Sequence, residues 1–278
     1  MDVLSGQPAP GESPSPSVPV PALQILLVED NLVNQELARL MLVRSGHQVV
    51  AVSSGLAAIE ALDDASVPGG FDVVLMDLQM AGMDGLEATR IIRHRGESTR
   101  QPIIIALTAN VTAEARAACR DVGMDDFLGK PIRRAELAAV LARAARSSET
   151  PATEEVPREP RPGTDREPVL DPELFGRLDD MDHETRTMIL QHLLDEAGGH
   201  LVSLHAELRL GDRGQPGFLA HRLRGSSASI GASRLAAACA EIESSVHAGR
   251  VVTPEMLARL GSAIDDTTAA LLNHLDPG

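Results

Sequence analysis

The sequence FDVVLM at residues 71–76 runs directly into Asp77, and this apolar run decides the fold of the first half of the chain. Short apolar runs of the same kind alternate with helical patterns from residue 22 to about 145. Such alternation predicts right-handed crossovers and a doubly wound α/β domain, in which helices cover both faces of a parallel five-stranded sheet. The predicted strands are 23–28, 48–52, 72–76, 102–107 and 126–128, and the predicted helices are 32–44, 54–63, 84–95, 112–121 and 133–145.

Polar side chains follow four of these predicted strands. They are the pair Glu29 and Asp30 after the first strand, Asp77 after the third, Thr108 after the fourth and Lys130 after the fifth. Because the carboxyl ends of parallel strands share one edge, we expect three carboxylates, a hydroxyl and an ammonium around one crevice. Any one of these acids alone would more often form a turn or favour a helix start. Together they suit a magnesium-assisted phosphoryl acceptor.

Five motifs in this region resemble those of response regulator receiver domains. They are LLVEDN at 26–31, VLMDLQM at 74–80, MDGLEATR at 83–90, ALTAN at 106–110 and DDFLGKP at 125–131. The resemblance spans the whole of residues 22–145, which it identifies as a receiver domain. It implies the flavodoxin-like strand order of that family.

The resemblance implies a magnesium site and a phosphorylation site. Asp77 would be the residue that is phosphorylated. Asp30 and Asp77 would bind Mg²⁺ directly, Glu29 partly through water, and the backbone carbonyl of Gln79 would add a ligand.

The resemblance also assigns three further residues around the phosphoryl group. Lys130 would pair with the phosphoryl oxygens, and Thr108 would donate its hydroxyl to one of them. Phe127 would be the switch aromatic whose rotamer follows Thr108, and the Lys130–Pro131 bond would be cis. The chain departs from the family at Ala81, where receivers commonly have proline, and this puts the lifetime of the phosphoryl group in doubt.

The rest of the chain has a different composition. Residues 1–21 are rich in Pro, Ser and Gly and are predicted to be a disordered leader. Residues 146–168 combine five prolines with charged residues and are predicted to be a linker. Residues 169–276 lack a strand pattern, and an all-α four-helix bundle is expected there. The predicted helices of this domain are 172–180, 183–210, 216–229, 231–248 and 254–275.

The sequence AHRLRGSSASIGA at 220–232 is the strongest signal in the second domain. On a helix, His221 points roughly opposite the stripe that contains Leu223 and Ile230, so we expect it to face solvent. Arg224 and Gly225 lie one turn further on. A neutral imidazole is a nucleophile toward an acyl phosphate, a guanidinium holds phosphoryl oxygens, and glycine leaves room for an incoming domain.

This segment resembles the histidine phosphotransfer (Hpt) domain, whose motif reads His-x-Leu-Lys-Gly-Ser-Ser followed by Gly-Ala. The resemblance implies that His221 carries a phosphoryl group and that Arg224, in place of the usual Lys, supports the transfer. A receiver followed by an Hpt domain is similar to the C-terminal part of a hybrid sensor histidine kinase.

Composition limits the partners. The formal charge of −15 and the lack of a basic stripe argue against direct binding of nucleic acid. No apolar run approaches the length needed for membrane insertion. Only Cys119 and Cys239 are present, which excludes a disulfide scaffold and indicates a reducing, cytoplasmic location.

Together these features predict an intermediate of a two-component phosphorelay. The sequence has no P-loop and no ATP lid, so we do not expect an autonomous histidine kinase. The expected partners are an upstream sensor histidine kinase and a downstream response regulator receiver. A phosphatase of the haloacid dehalogenase type would need a second aspartate where Gln79 stands. A non-catalytic adaptor, gated by phosphate at the receiver, remains the alternative.

Overall fold

The computed structural model of the protein describes residues 22–64, 67–95, 101–109, 112–146, 168–210 and 214–275. The predicted leader at 1–21 and nearly all of the predicted linker at 146–168 lie outside these ranges. Within them, no helix is both long enough and apolar enough to cross a bilayer.

The N-terminal domain is a five-stranded parallel sheet with the strand order β2-β1-β3-β4-β5. The doubly wound, flavodoxin-like prediction is confirmed. The strands are β1 (Gln24–Val28), β2 (Gln48–Val52), β3 (Val73–Asp77), β4 (Ile103–Thr108) and β5 (Asp126–Gly129). Asp77 and Thr108 are the last residues of their strands, one position beyond the predicted ends.

Five helices cover the two faces of this sheet. They are α1 (Leu32–Arg44), α2 (Gly55–Asp63), α3 (Gly85–His94), α4 (Ala113–Asp121) and α5 (Arg134–Arg146). Every residue of β3 is buried, because helices pack on both faces of this central strand. Burial on both faces explains why the deciding run of sequence is uniformly apolar up to its terminal acid.

The C-terminal domain is a four-helix bundle, as predicted. Its helices are α7 (His183–Leu210), α8 (Gly214–Ser229), α9 (Ser233–His247) and α10 (Pro254–Leu275). Each long helix contacts two others, which closes the bundle around a core of leucine, isoleucine and alanine side chains. The segment predicted as one helix at 172–180 divides into α6 (Pro172–Phe175) and a 3₁₀ turn (Gly176–Asp180).

Gly231 ends the predicted motif and joins α8 to α9. Its φ is +82°, and a Cβ atom there would lie 2.8 Å from the Cβ of Leu174. The Gly231 carbonyl accepts a hydrogen bond of 2.7 Å from the backbone N–H of Asp171. A side chain at this position would therefore be strained and would push away α6.

The two domains pack against each other through α1. Val33 and Leu37 of α1 are almost fully buried and belong to the same apolar cluster as the core of the bundle. Helix α1 contacts both α7 and α8. This contact brings the helix that carries His221 to the carboxyl edge of the sheet.

Candidate functional site

The carboxyl edge of the sheet gathers three acids at the ends of β1 and β3. Glu29, Asp30 and Asp77 each place an oxygen within 4.8 Å of the others. Glu29 is 2% exposed and Asp77 is 3% exposed. Hard oxygen ligands at this separation suit a divalent cation such as Mg²⁺.

Lys130, which follows β5, is the cation of this cluster. Its Nζ lies 2.6 Å from Oε2 of Glu29 and 2.8 Å from Oδ2 of Asp77. Burial raises the pKa of Asp77 to about 7, because desolvation and the charge of Glu29 outweigh the attraction of Lys130. Burial alone would lower the pKa of Lys130, but the two carboxylates raise it above its ordinary value. The bond from Lys130 to Pro131 is cis.

The loop after β3 folds back over the acidic cluster. The backbone N–H of Gln79 donates to Oδ1 of Asp77 at 3.2 Å, and that of Ala81 donates to Oδ2 of Asp30 at 3.3 Å. A Cβ on Gly85 would lie 2.1 Å from the carbonyl oxygen of Asp77, so only glycine permits this return of the chain. The loop that contains Gln79 is thereby held against both aspartates.

Thr108 and Phe127 lie on the two neighbouring strands. Thr108 ends β4, and its carbonyl accepts a hydrogen bond of 2.8 Å from the backbone N–H of Lys130. Phe127 lies in β5 opposite Ala106, and the guanidinium of Arg116 stands 4.2 Å from the centre of its ring. Arg116 comes from α4 and was not anticipated from the sequence.

His221 is not solvent-facing, and that prediction was wrong. Its side chain is 13% exposed, and Nδ1 lies 2.9 Å from Oε1 of Glu243 on α9. The helical wheel correctly separated His221 from the buried Leu223 and Ile230. It could not show that the neighbouring helix α9 covers the side on which the imidazole lies.

Glu243 is a residue of the candidate site that the sequence interpretation missed. Its Oε2 lies 3.1 Å from a guanidinium nitrogen of Arg224, so one carboxylate supports both motif residues. Burial pushes the pKa of Glu243 upward, but the hydrogen bond from His221 and the charge of Arg224 outweigh it and hold the pKa below its ordinary value. One signal was present: Glu243 stands one helical turn after the fully buried Cys239, in an otherwise apolar stripe.

With Glu243 ionised, the imidazole donates its Nδ1 proton to the carboxylate. Nε2 then keeps its lone pair, since a neutral imidazole protonates only one of its nitrogens. The hydrogen bond therefore orients the ring and, in the neutral imidazole, leaves the Nε2 lone pair free.

The surface of the bundle that meets α1 is called here the docking face. It consists of Glu196 on α7 with Arg222, Gly225, Ser226 and Ser229 on α8. A guanidinium nitrogen of Arg222 lies 3.6 Å from Oδ2 of Asp30. The residue next to His221 thus reaches the acidic cluster, while Arg224 remains with Glu243.

Comparisons with known proteins match both domains. Residues 25–142 match the family described as the response regulator receiver domain, and residues 188–274 match the Hpt domain. The sensor histidine kinase GacS of Pseudomonas protegens is 33% identical over 80% of this chain, and the sensor protein GacS of Pseudomonas syringae pv. syringae is 33% identical over 87%.

These relatives are much longer than this chain. The aligned region spans 24% of the first GacS and 27% of the second. Among solved structures, the magnesium-bound receiver domain of the sensor histidine kinase PA1611 from Pseudomonas aeruginosa is 41% identical, with a TM-score of 0.40. That likeness covers 45% of this chain and 98% of that one.

Proposed function

We propose that this chain, which joins a response regulator receiver domain to an Hpt domain, is a phosphorelay intermediate that carries phosphoryl groups on Asp77 and His221. One observation carries the proposal: the helix that bears His221 is docked at the edge of the sheet that bears Asp77, with Arg222 3.6 Å from Asp30. We take residues 22–145 as the receiver domain, 146–168 as the linker and 169–276 as the Hpt domain.

The acidic cluster fits a magnesium ion. The ammonium of Lys130 pairs with Glu29 and Asp77. Burial and then the charge of Glu29 still raise the pKa of Asp77, so a further cation would stabilise its ionised form. Glu29, Asp30 and Asp77 would hold Mg²⁺, with the carbonyl of Gln79 as a further ligand. When bound, the ion would neutralise charge on the phosphoryl oxygens.

Acceptance by the receiver uses Asp77 as the nucleophile. A carboxylate oxygen of Asp77 forms a bond to phosphorus while the bond from phosphorus to the donor breaks, and the donor leaves with that electron pair. Lys130, which already touches Asp77, pairs with a phosphoryl oxygen. Thr108 donates its hydroxyl to another, and Phe127 follows the movement of Thr108 as the switch residue.

Transfer between the domains uses Nε2 of His221. Its lone pair forms a bond to phosphorus, the bond between phosphorus and the Asp77 oxygen breaks, and Asp77 is left as a carboxylate. The Nδ1 proton stays on the ring, where the carboxylate of Glu243 stabilises the positive charge that develops. Arg224 also contacts Glu243, and we propose that it supports the transfer by holding that carboxylate in place.

The partners follow from this chemistry. A sensor histidine kinase would donate the phosphoryl group, and a separate response regulator receiver would exchange it with His221. One of the GacS relatives is named a sensor histidine kinase and the other a sensor protein, and the aligned region spans about a quarter of the length of each. Both cysteines are free and buried, which is consistent with a cytoplasmic setting.

The test is phosphorylation of the full chain with acetyl phosphate in the presence of Mg²⁺. We expect label on Asp77 and then on His221, identified by mass spectrometry and by the different stability of acyl phosphate and phosphohistidine in acid and base. The variant His221→Gln should keep the label on Asp77 and lose it from the bundle. Label on Asp77 that never reaches His221 would favour the adaptor alternative, and no label on Asp77 would refute the proposed function.

A further inference from the structure

The polar contacts of the docking face point to a partner of defined chemistry. They connect the bundle to two asparagines of the receiver, Asn31 and Asn34, which are the first and fourth residues after the acidic pair. Neither asparagine is a proposed metal ligand or a reacting group in the phosphoryl chemistry. The two residues are nonetheless only 2% and 8% exposed, and both bond across the interface.

Asn31 satisfies a buried carboxylate of the bundle. Its Nδ2 donates to the two oxygens of Glu196 at 3.0 and 3.1 Å and contacts Oγ of Ser226 at 3.0 Å. The side chain of Glu196 is 6% exposed, and its ion-pair distance to Nε of Arg222 is a long 3.7 Å. Within the bundle, Glu196 also accepts from the hydroxyl of Ser226 at 2.8 Å. A buried carboxylate has room for several donors, so a receiver without an amide at this position would leave Glu196 with fewer hydrogen bonds.

Asn34 uses both the nitrogen and the oxygen of its side-chain amide in hydrogen bonds. Its Nδ2 donates to Oε1 of Glu29 at 3.0 Å, and its Oδ1 accepts from the hydroxyl of Ser229 at 2.6 Å. Aspartate would lack the donor, and serine would be too short to span both partners. A Cβ on Gly225 would lie 3.2 Å from Nδ2 of Asn34, so the glycine of the motif makes room for this amide.

We infer that the docking face selects receiver domains that carry asparagine at the positions of Asn31 and Asn34, and that the receiver of this chain occupies the face in competition with a second receiver of that kind. The inference rests on the proposed function and names the partner of the same site. Transfer to or from His221 requires an aspartate close to the imidazole. Any receiver that exchanges a phosphoryl group with His221 therefore needs the docking face that the chain's own receiver covers.

The experiment uses two full-length variants of this chain, with a second copy as the probe. The donor carries His221→Gln and is labelled on Asp77, while the acceptor carries Asp77→Asn and can take label only on His221. Transfer between the two molecules is normalised to the label on Asp77 at the start. This normalisation removes any effect of a substitution on acceptance itself.

The added substitution Asn31→Asp keeps the side-chain oxygen that caps α1, but removes the donor and sets a carboxylate against Glu196. In the donor it weakens docking on the donor's own bundle as well as on the acceptor, so the informative rate is that into an acceptor with Glu196→Gln relative to an acceptor that keeps Glu196. That rate should be about tenfold higher, the effect of regaining a hydrogen bond to a buried charge, because an amide at position 196 can donate to the carboxylate at position 31.

The same Asn31→Asp substitution in the acceptor should accelerate transfer. It weakens the hold of the acceptor's own receiver on the docking face, so transfer from an unaltered donor should become faster. A folding defect cannot produce that acceleration. Glu36→Gln in the donor is the matched control, since Glu36 pairs with Arg39 within the same helix α1.

The inference would be overturned, with the proposed function intact, if an Asn31→Asp acceptor took label no faster than the unaltered acceptor. It would also be overturned if an Asn31→Asp donor transferred no faster to an acceptor with Glu196→Gln than to one that keeps Glu196. Failure of the unaltered donor to label His221 of the acceptor would instead count against the proposed function. The two failures are therefore distinguishable in one set of assays.

Discussion

Asp77 in the receiver and Glu243 in the Hpt domain are both buried carboxylates beside a cation, yet their pKa values move in opposite directions. Burial, followed by the charge of the neighbouring Glu29, raises the pKa of Asp77 to about 7. Glu243 lies between His221 and Arg224, and its pKa is lowered. Burial alone therefore does not decide what a carboxylate does. We propose that burial beside a like charge prepares Asp77 for a metal ion and a phosphoryl group, whereas two donors hold Glu243 ionised as a support for His221.

The largest expected effect is that of Asp77→Asn, which removes the nucleophile and a metal ligand while preserving shape. Labelling of the receiver by acetyl phosphate should fall below detection, as measured by mass spectrometry of the intact chain. Asp84→Asn is the matched control, because Asp84 caps α3 and asparagine caps helices equally well. Labelling of the receiver in the Asp77→Asn variant would show that another residue accepts the phosphoryl group.

The corresponding change at the other carboxylate, Glu243→Gln, should be much milder. The amide oxygen can still accept from Nδ1 of His221, but the negative charge is lost, so phosphorylation of His221 should slow by about tenfold. Acceptance at Asp77 should not change. Glu241→Gln on the same helix is the control, since Glu241 pairs with Arg259 at the surface. A complete loss of His221 phosphorylation in the Glu243→Gln variant would mean that Glu243 is as indispensable as Asp77 and does not act only as a support.

The raised pKa of Asp77 predicts proton release when magnesium binds. A carboxyl group with a pKa near 7 is mostly protonated at pH 6 and mostly ionised at pH 8, and metal binding requires the ionised form. Binding should thus release about 0.9 proton at pH 6 and about 0.1 at pH 8, and it should weaken as pH falls through 7. Calorimetric titration in buffers of different ionisation enthalpy measures this release.

The Asp77→Asn variant provides the control for this titration and should lose the release. A wild-type protein that releases no proton at pH 6 would show that Asp77 is already ionised without metal. The contrast with Glu243 would then disappear.

The smallest expected effect concerns Arg116, whose guanidinium lies over the ring of Phe127. Arg116→Ala should lower the free energy of unfolding of the chain by up to about 1 kcal/mol through loss of the cation–π contact. Denaturant unfolding followed by circular dichroism measures it, with the exposed Arg120→Ala on the same helix as the control. A loss no larger than that of the control would mean that the contact contributes nothing to stability.

The contrast between the two sites also explains what the sequence could predict. Glu29, Asp77 and Lys130 are distant in the chain, but a parallel sheet has one carboxyl edge, so naming the strands was enough to bring them together. No comparable rule relates His221 to Glu243. Which faces of two helices meet depends on the rotation of each helix in the bundle, and periodicity within one helix does not report it.

The contact between the two domains could not be predicted from the sequence for the same reason. Val33 and Leu37 have the spacing of an ordinary amphipathic helix, and that pattern would look the same if they packed only within the receiver. The asparagines did not indicate the domain contact either. Asn31 also caps α1, and this local role is enough to account for an asparagine at that position.

The stacking of Arg116 on Phe127 has an optical consequence, because the chain contains no tryptophan and no tyrosine. Phe127→Trp would introduce the sole indole of the protein at the position proposed to move with Thr108. Its fluorescence would come from one place and would sense whether the guanidinium stays over the ring. Without tryptophan and tyrosine, the protein has very little near-ultraviolet absorbance of its own. A single tryptophan at position 127 would therefore report on the proposed switch residue without background from other sites.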